Sequence, residues 1–359
     1  MVAVGEVAQR AGVSTSTVSH VLNGTRFVSA ELRARVQAAV EDLDYQPNAA
    51  ARSLSLKRSN AIGLIVADIR NPFYASVARG AEDVAQAHGY KLVLCNTDQD
   101  ATRESVYLQA LQTRQVDGAL VASGGTADAY LARLIRAGLP VVLVDRDVAD
   151  VVNACAIVLD KTAPGYAAVR YLLGHGHRRI AMLAAEQRAP PGPPISERTA
   201  GYRRALAEVG FRVDERLVVA AAAAVDGGRQ AAGVVLDVAP PPTAIFSDSS
   251  LVTVGVLESI ASRGLRVPED VEIVSADDLP QAWAEAFDPR VSTVAEPTYQ
   301  LGCKAAEMLV SRLRSSSSCV ARVVFQGAPL VRESLAPYAW HRERRFEAKL
   351  PVTTVTAHG

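Results

Sequence analysis

The chain has 359 residues, of which 49% are hydrophobic and 21% are charged, and its formal net charge is zero. This length and composition describe an ordinary soluble globular protein, with room for a small domain beside a large domain or a pair of lobes. The longest run of small apolar residues, 217–225, is far shorter than the ~20 residues that a membrane helix needs. No basic patch followed by an apolar core opens the chain, so we expect a cytoplasmic protein without a signal peptide.

Four cysteines are scattered along the chain without a pattern that would hold a metal ion. Cys95, Cys155, Cys303 and Cys319 form no Cys-x-x-Cys pair. This spacing predicts buried thiols in a reducing compartment, and neither a metal site nor a cofactor is expected. The sequence also has no glycine-rich phosphate loop and no Gly-x-Ser-x-Gly nucleophile elbow.

Three short helical patterns occupy the first 43 residues. Residues 4–11 form the first pattern and residues 13–23 the second, with Gly12 between them where a tight turn favours positive φ. Ser29-Ala30-Glu31 supplies a cap and a favourable charge at the start of the third helix. Three such helices can enclose a small core, and the pattern predicts a helix-turn-helix whose second helix enters a major groove of DNA.

The second helical pattern has two chemically different faces. Its apolar residues are spaced by three and four positions, which predicts a face that packs against the other helices: Val18, Val21 and Leu22. The other side chains are compact hydrogen-bonding groups that can reach the edges of bases: Thr15, Ser16, Thr17, Ser19 and His20. We therefore predict that this helix reads the DNA sequence.

The segment after the third helix carries a specific family signature. It runs Tyr45-Gln46-Pro47-Asn48-Ala49-Ala50-Ala51-Arg52-Ser53-Leu54, and its distance from the helix-turn-helix matches the lactose/galactose repressor (LacI/GalR) family. The chain resembles this family from residue 2 to about residue 337. The resemblance implies a DNA-binding domain at 1–46, a hinge helix or linker at 47–57, and a two-lobed effector-binding and dimerisation domain at 58–337.

The resemblance assigns DNA contacts in the hinge to Asn48, Ala51 and Leu54. Two such hinges in family members form helices side by side in the minor groove, where a leucine at this position wedges into a base step. The segment is shorter than the ~12–15 residues that make an isolated helix even marginal in water. We therefore expect the hinge to become ordered only on DNA, which Leu54 would help to kink.

From residue 58 onward the pattern alternates between short apolar runs and helical stretches. Several helical stretches are followed by a glycine and then an apolar run, at Gly89, Gly138, Gly210 and Gly264. Such alternation predicts right-handed crossovers onto parallel sheets. The predicted fold class is α/β, with an all-α helix-turn-helix head and a two-lobed core of parallel sheets flanked by helices. The resemblance implies a core like that of periplasmic sugar-binding proteins.

The chain is expected to cross between the lobes three times, near Asp160, Pro289 and Ser318. The first lobe would then contain about 60–160 and 290–318, and the second about 161–289 and 319–337. Residues 338–359 form a tail without leucine heptads, so we expect it to be disordered rather than a tetramerising coiled coil.

Open parallel sheets bind ligands beyond the carboxyl ends of their strands, so two facing lobes make a cleft. Family signatures follow one another in order, among them Asn71-Pro72-Phe73-Tyr74, Val144-Asp145-Arg146 and Glu197-Arg198-Thr199. The resemblance assigns effector contacts to Phe73, Arg146, Arg198 and Asp277. Guanidinium and carboxylate groups grip hydroxyls, and an aromatic ring covers an apolar face, so a small polar effector such as a sugar is expected.

The second lobe departs from the family pattern at one strand end. Asp248-Ser249-Ser250 stands where the family usually has Asn-Asp before a helix, so hydroxyls replace an amide and a carboxylate. We include Asp248 and Ser249 among the candidate effector contacts. Arg198 also has a simpler interpretation, in which it only pairs with a surface acid. No catalytic residues are assigned, because no nucleophile stands near a base in motif spacing.

The sequence predicts a ligand-responsive, sequence-specific transcription regulator, a repressor that binds a palindromic operator in double-stranded DNA as a homodimer. The alternative is a solute-binding protein of the same two-lobed fold. Such a receptor needs a signal peptide and has no use for residues 1–54. An enzyme on a doubly wound sheet is a third class that the motifs do not support.

Overall fold

The structure is a computed structural model of the chain. It describes residues 2–24, 26–45, 58–113, 115–123, 127–146, 148, 154–186, 197–277, 283, 287–315 and 322–335. The predicted hinge contacts Asn48, Ala51 and Leu54 lie outside the described residues, as does the tail at 338–359. The chain separates into two compact units, Met1–Asn60 and Ala61–Gly359.

The small unit contains α1 (Val4–Ala11), α2 (Thr15–Asn23) and α3 (Ala30–Asp42). Gly12 ends α1 with a φ of 64°, the left-handed conformation that the predicted turn needs. Val7, Val18 and Val36 are fully buried and bring the three helices around one core. Because Val18 lies on the predicted apolar face of α2, the orientation of that helix is as predicted.

The first lobe of the large unit is built on a six-stranded sheet with the order β11-β5-β4-β3-β1-β2. Its strands are β1 (Ala61–Val66), β2 (Lys91–Asn96), β3 (Gly118–Ala122), β4 (Val141–Val144), β5 (Cys155–Leu159) and β11 (Arg322–Phe325). All neighbouring strands in it are parallel. Its helices are α4 (Pro72–Ala87), α5 (Ala101–Gln112), α6 (Asp128–Arg136) and α11 (Thr298–Arg314).

The second lobe has its own six-stranded sheet, with the order β12-β10-β9-β8-β6-β7. Its strands are β6 (Ile180–Glu186), β7 (Val218–Ala222), β8 (Ala244–Ser247), β9 (Glu272–Ser275), β10 (Ser292–Ala295) and β12 (Ala328–Leu330). They pair in parallel except for β10 and β12, which are antiparallel. The helices are α7 (Thr162–Gly174), α8 (Glu197–Glu208), α9 (Val225–Leu236) and α10 (Ser250–Ser262), with a 3₁₀ turn at Glu215–Leu217.

Both faces of the sheets are covered, which explains the nearly continuous apolar runs of the strands. In β1, Ile62 and Leu64 belong to the core on one face of the first sheet, whereas Ile65 belongs to the core on the other. Alternate residues of a strand point to opposite faces, so both sets must be apolar. The predicted α/β class is confirmed. No helix among the described residues is long and apolar enough to span a membrane.

Two of the predicted lobe crossings are corrected by the strand pairing. The sequence predicts crossings near Pro289 and Ser318, but β10 pairs with β9 in the second sheet and β11 pairs with β5 in the first. The chain therefore passes to the first lobe after Ala295 and returns after Phe325. Both strands have four residues, and their hydrogen-bonding partners are set by tertiary packing rather than by local pattern.

The prediction of buried free thiols is wrong for the described cysteines. Cys155, in β5, is disulfide-bonded. Cys95 and Cys303 have free thiols and are only half-buried. The fourth cysteine, Cys319, lies outside the described residues. Pairing depends on whether two Cβ atoms approach within bonding reach, which residue spacing alone does not determine.

Helices α4 and α11 touch backbone to backbone through two glycines. A Cβ added at Gly80 would lie 2.1 Å from the carbonyl oxygen of Tyr299, and one at Gly302 would lie 2.1 Å from that of Val77. Thr298 Oγ1, at the start of α11, also donates a hydrogen bond to Ser76 Oγ at 2.7 Å. These contacts attach the chain to the first lobe immediately after it crosses from the second.

We expect Gly80→Ala to lower the free energy of unfolding by about 1–3 kcal/mol, because the added methyl group forces the two helices apart. Urea unfolding followed by circular dichroism measures the change. The matched control is Gly174→Ala, near the end of α7, where an added Cβ meets nothing within 4 Å. That variant should be neutral or more stable by up to about 1 kcal/mol. Equal stabilities for the two variants would contradict the close helix packing.

Candidate ligand cleft and nucleic-acid interface

A cavity of about 500 Å³ lies between the lobes of the large unit. Arg70 and Phe73 line it from the first lobe, and Asp277 and Trp283 line it from the second. Glu296 lines it from the crossing segment, residues 296–297, which connects β10 of the second lobe to α11 of the first. These residues follow or adjoin the carboxyl ends of strands, where open α/β sheets bind ligands. The volume is within the range of small-molecule sites, about 300–1,000 Å³.

The start of α4 presents Phe73 to this cavity. Asn71 caps the helix, since its Oδ1 accepts a hydrogen bond from Phe73 N at 2.9 Å, and Pro72 occupies the first turn. The ring of Phe73 packs edge to face on that of Tyr74, with the centroids 5.0 Å apart. Burial raises the pKa of Tyr74. Phe73 is therefore an apolar surface with a fixed orientation, suited to the face of a ring.

Arg198, at the start of α8, holds two carboxylates together beside the cavity. Its Nη2 donates hydrogen bonds to Asp277 Oδ1 at 3.0 Å and to Glu296 Oε1 at 2.6 Å. Its Nη1 donates to the carbonyl oxygen of Asp248 at 3.1 Å. The side chain of Arg198 is 14% exposed and that of Glu296 is 2% exposed. The pairing is therefore buried, unlike the surface pairing considered as the simpler interpretation.

This cluster has two carboxyl groups for one guanidinium. Burial raises the pKa of Glu296 to about 7; the Arg198 guanidinium opposes this shift and the Asp277 carboxylate adds to it. Burial also raises the pKa of Asp277. Two carboxyl groups that share one guanidinium in a buried site cannot both ionise without a large free-energy cost. The site therefore favours a partner that donates hydrogen bonds to the carboxylates.

Asp248 and Ser249 lie next to this cluster but are not part of the cavity wall. Asp248 is 3% exposed, and its carboxylate accepts a hydrogen bond from the backbone N–H of Ala185. The hydroxyls of Ser249 and Ser250 are buried and form no hydrogen bond with the described residues. Ser250 N donates to Asp277 Oδ2 at 3.4 Å. Buried unpaired hydroxyls of this kind call for a water molecule or a ligand.

Arg146 is not among the residues that line this cavity, and its assigned effector contact stays a prediction. Its Nη1 donates to Glu104 Oε1 at 3.3 Å and to Ser123 Oγ at 3.1 Å. Its Nη2 pairs with Asp128. The side chain is 8% exposed and that of Glu104 is fully buried. Arg146, just after β4, thus connects Ser123, just after β3, to α5 and α6 of the first lobe.

The outer face of α2 carries the predicted DNA contacts. Thr15 and Ser16 are exposed, whereas Thr17, Ser19 and His20 are partly buried. The cap residue Ser14 engages two of these hydroxyls, since its Oγ lies 2.7 Å from Ser16 Oγ and 2.9 Å from Thr17 Oγ1. Thr15 and Ser16, at the amino end of the helix, are therefore the most accessible of the predicted reading residues.

Two family models match the chain. Residues 4–48 match the model described as bacterial regulatory proteins, lacI family. Residues 59–326 match the model described as periplasmic binding proteins and sugar binding domain of the LacI family, which covers more than half of the chain. The chain belongs to the LacI family. The resemblance inferred from the sequence is thereby confirmed.

Several related proteins align over nearly their full length with this chain. The ribose operon repressor of Haemophilus influenzae is 35% identical over 338 residues, which are 93% of this chain and 99% of the repressor. The solved complex of the transcriptional regulator CelR with cellobiose is 32% identical, has a TM-score of 0.68, and spans 93% of this chain and 100% of its own. A LacI-family regulator from Enterococcus faecium with bound ribose is 28% identical, with a TM-score of 0.68, and spans 77% of this chain and 99% of its own.

Eight of the ten residues that line the cavity are absent from the candidates predicted for this LacI-family chain, among them Glu296 and Trp283. Glu296 directly follows the last residue of β10, and Trp283 lies between β9 and β10. A charged residue immediately after an apolar strand is the signal that could have identified Glu296, because ligands bind at that end of a parallel sheet. The sequence prediction placed this stretch in the wrong lobe, so the position was not recognised. Among the described residues, no three His, Cys, Asp or Glu side chains are arranged to hold a metal ion.

We expect Glu296→Gln to change how stability depends on pH. The raised pKa means that Glu296 contributes stability that is present below its usual pKa of 4.5 and is lost as the pH rises through about 7. The free energy of unfolding of the variant, relative to the parent, should therefore increase from about pH 5 to about pH 8. The increase should be at most about 3 kcal/mol, since one pKa unit corresponds to about 1.4 kcal/mol.

Thermal or urea unfolding across this pH range measures the difference. The matched control is Glu82→Gln, which removes an exposed carboxylate from α4. The control should follow the pH dependence of the parent. A constant difference between parent and Glu296→Gln would show that the Glu296 carboxyl group is not perturbed.

Proposed function

We propose that this protein is a ligand-responsive transcriptional repressor that binds its operator as a homodimer and takes a sugar between its lobes. The observation that carries the proposal is the cavity of about 500 Å³ lined from both lobes, in a chain whose other unit is a helix-turn-helix. The ribose and cellobiose found in solved LacI-family relatives support the choice of a sugar.

On the DNA side, α2 would enter the major groove with its amino end toward the bases. The hydroxyls of Thr15 and Ser16 can donate to or accept from base edges, and His20 could reach a further base one turn along the helix. One short helix contacts few base pairs, so two heads related by a dimer axis would read a palindrome. The hinge residues Asn48, Ala51 and Leu54 would add contacts in the minor groove.

On the effector side, the carboxylates of Asp277 and Glu296 would accept hydrogen bonds from sugar hydroxyls. Charge-assisted hydrogen bonds of this kind are stronger than neutral ones. The rings of Phe73 and Trp283 line the same cavity and would cover the apolar face of the sugar. The excess of carboxylates over guanidinium in the Arg198 cluster favours an uncharged sugar over a phosphorylated one.

The two activities would be coupled through the crossing segment. Glu296 lies between β10 of the second lobe and α11, which packs on the first lobe through Gly302. A sugar that binds to Glu296 and Asp277 changes the contacts of Arg198 and favours one spacing of the lobes over another. By linkage, operator DNA must then change the affinity for the sugar by the same factor.

The main alternative is a solute-binding protein of the same two-lobed fold. The helix-turn-helix unit and the relatedness to repressors along nearly the whole chain favour the regulator. Binding of sugar without any effect on DNA affinity would support the alternative.

We expect Thr15→Ala to weaken binding to a specific operator by about 5- to 100-fold, because a lost base contact costs about 1–3 kcal/mol. Binding to unrelated DNA, which depends on phosphate contacts, should stay nearly unchanged. The operator is first selected from a random DNA pool, and both affinities are then measured by fluorescence anisotropy at two salt concentrations. Gln37→Ala, an exposed position on α3, is the control. An unchanged preference in Thr15→Ala would remove α2 as the reading helix.

We expect Asp277→Asn to weaken sugar binding by about tenfold or more, because a hydrogen bond to a charged group is worth about 1.5–3 kcal/mol. Isothermal titration with ribose and cellobiose measures the affinity, and operator binding with and without sugar measures the response. Operator binding without sugar should be retained. The control Asp237→Asn removes an exposed partner of Arg263 and should have no effect. Full sugar response in Asp277→Asn would place the effector elsewhere.

A further inference from the structure

The second lobe has another depression, at the amino ends of its strands, on the side of the sheet opposite the ligand cleft. This groove, of about 680 Å³, lies beside the carboxyl end of α10 and the segments that lead into β9 and β10. Because β9 and β10 are parallel, their amino ends lie on the same side of the sheet, and the cleft lies at their carboxyl ends on the opposite side. Its floor is apolar and only half-buried, formed by Leu257, Leu265, Val267 and Phe287 among others. We call it the basal groove.

The rim of the basal groove is acidic. Four carboxylates line it, together with a single guanidinium, that of Arg266: Glu258, Glu269, Asp288 and Glu333. Arg266 pairs with Asp270, whereas Glu258 pairs with Arg229 and Glu333 pairs with Arg290. Glu269 and Asp288 are exposed and form no ion pair with another described residue. An apolar floor with an acidic rim suits an occupant that combines aromatic rings with positive charge.

The described part of the chain ends beside this groove. Glu333 forms part of its wall, and Ser334 is held firmly, since its Oγ donates to Ile273 O at 2.7 Å and accepts from Ser292 N at 2.7 Å. Leu335 follows and is 5% exposed in the core. Residues 336–359 therefore begin three positions after a residue of the groove wall.

The sequence of this tail has the chemistry that the groove lacks. It contains Trp340-His341-Arg342-Glu343-Arg344-Arg345-Phe346, with an aromatic residue at each end and three arginines against one glutamate. Trp340 is five residues beyond Leu335, and an extended chain spans about 3.3–3.6 Å per residue. A segment tethered so closely has an effective concentration on the order of millimolar, so even weak docking would be populated.

We propose that residues 340–346 dock into the basal groove of the same subunit. The rings of Trp340 and Phe346 cover the apolar floor, and the arginines face Glu269 and Asp288. Arginine suits this rim because its planar guanidinium pairs with carboxylates and stacks on aromatic rings. Disorder is expected for 338–359 when the tail is considered alone. The basal groove provides an apolar surface against which Trp340 and Phe346 can be buried. Docking needs no effector and no DNA, so it does not depend on the proposed function.

Tryptophan fluorescence tests the docking in the full-length protein. The chain has two tryptophans, Trp283 and Trp340, so the Trp283→Phe variant leaves Trp340 as the only reporter. We expect its emission to be blue-shifted relative to a synthetic peptide of residues 338–349, and its quenching by acrylamide to be slower. Emission identical to that of the free peptide would overturn the proposal.

Charge reversal then tests the location. In the Trp283→Phe background, Glu269→Lys with Asp288→Lys should shift the emission of Trp340 to that of the free peptide. Arg344→Glu with Arg345→Glu should do the same, and this tail variant leaves the folded lobe untouched. Combining the two pairs should restore the blue shift, because the charges are again complementary. If each pair of substitutions removes the blue shift of Trp340 and the combined variant does not restore it, the proposed charge pairing would be contradicted.

The matched control reverses two exposed carboxylates of the first lobe, Glu82→Lys with Glu307→Lys, and should leave the emission unchanged. Dilution distinguishes the possible occupants. Docking within one subunit is independent of protein concentration, so a blue shift that disappears on dilution would assign the groove to a second copy and overturn the proposal. A blue shift that survives the groove variant would place Trp340 on another surface and would also overturn it.

Discussion

The large unit depends on one buried ion cluster, in which Arg198 holds Asp277 and Glu296. The three side chains come from the start of α8, the end of β9 and the crossing segment after β10. Removing the Arg198 guanidinium would leave the two buried carboxyl groups without a compensating charge, which costs about 3–5 kcal/mol. The cluster therefore ties the crossing segment to the second lobe in the absence of a ligand, and it does so beside the cavity.

The same crossing segment is held on its other side by helix packing. Gly80 and Gly302 allow α4 and α11 to touch through their backbones, and Phe73, the second residue of α4, lines the cavity. A displacement of Glu296 would therefore act on a closely packed pair of helices. Packed interfaces of this kind have discrete arrangements, which is what a two-state regulator requires.

The family resemblance assigns an effector contact to both Arg146 and Arg198, but the two side chains have different partners. Both are buried and both contact two carboxylates. The partners of Arg146 lie within the first lobe, so it stabilises that lobe, whereas Glu296, a partner of Arg198, lies between the lobes. Only the second arrangement makes the ion cluster sensitive to how the lobes are spaced.

The sequence by itself determined the features that depend on local spacing. The period of Val18, Val21 and Leu22 oriented α2, Gly12 marked its turn, and the alternation of apolar runs and glycine-ended helices predicted parallel sheets. Tertiary structure alone decided the lobe to which β10 belongs, the disulfide-bonded state of Cys155, and the partners of Arg146. The physical reason is that strand pairing, sulfur contacts and ion pairs join residues far apart in the chain, and no local period records which distant groups will meet.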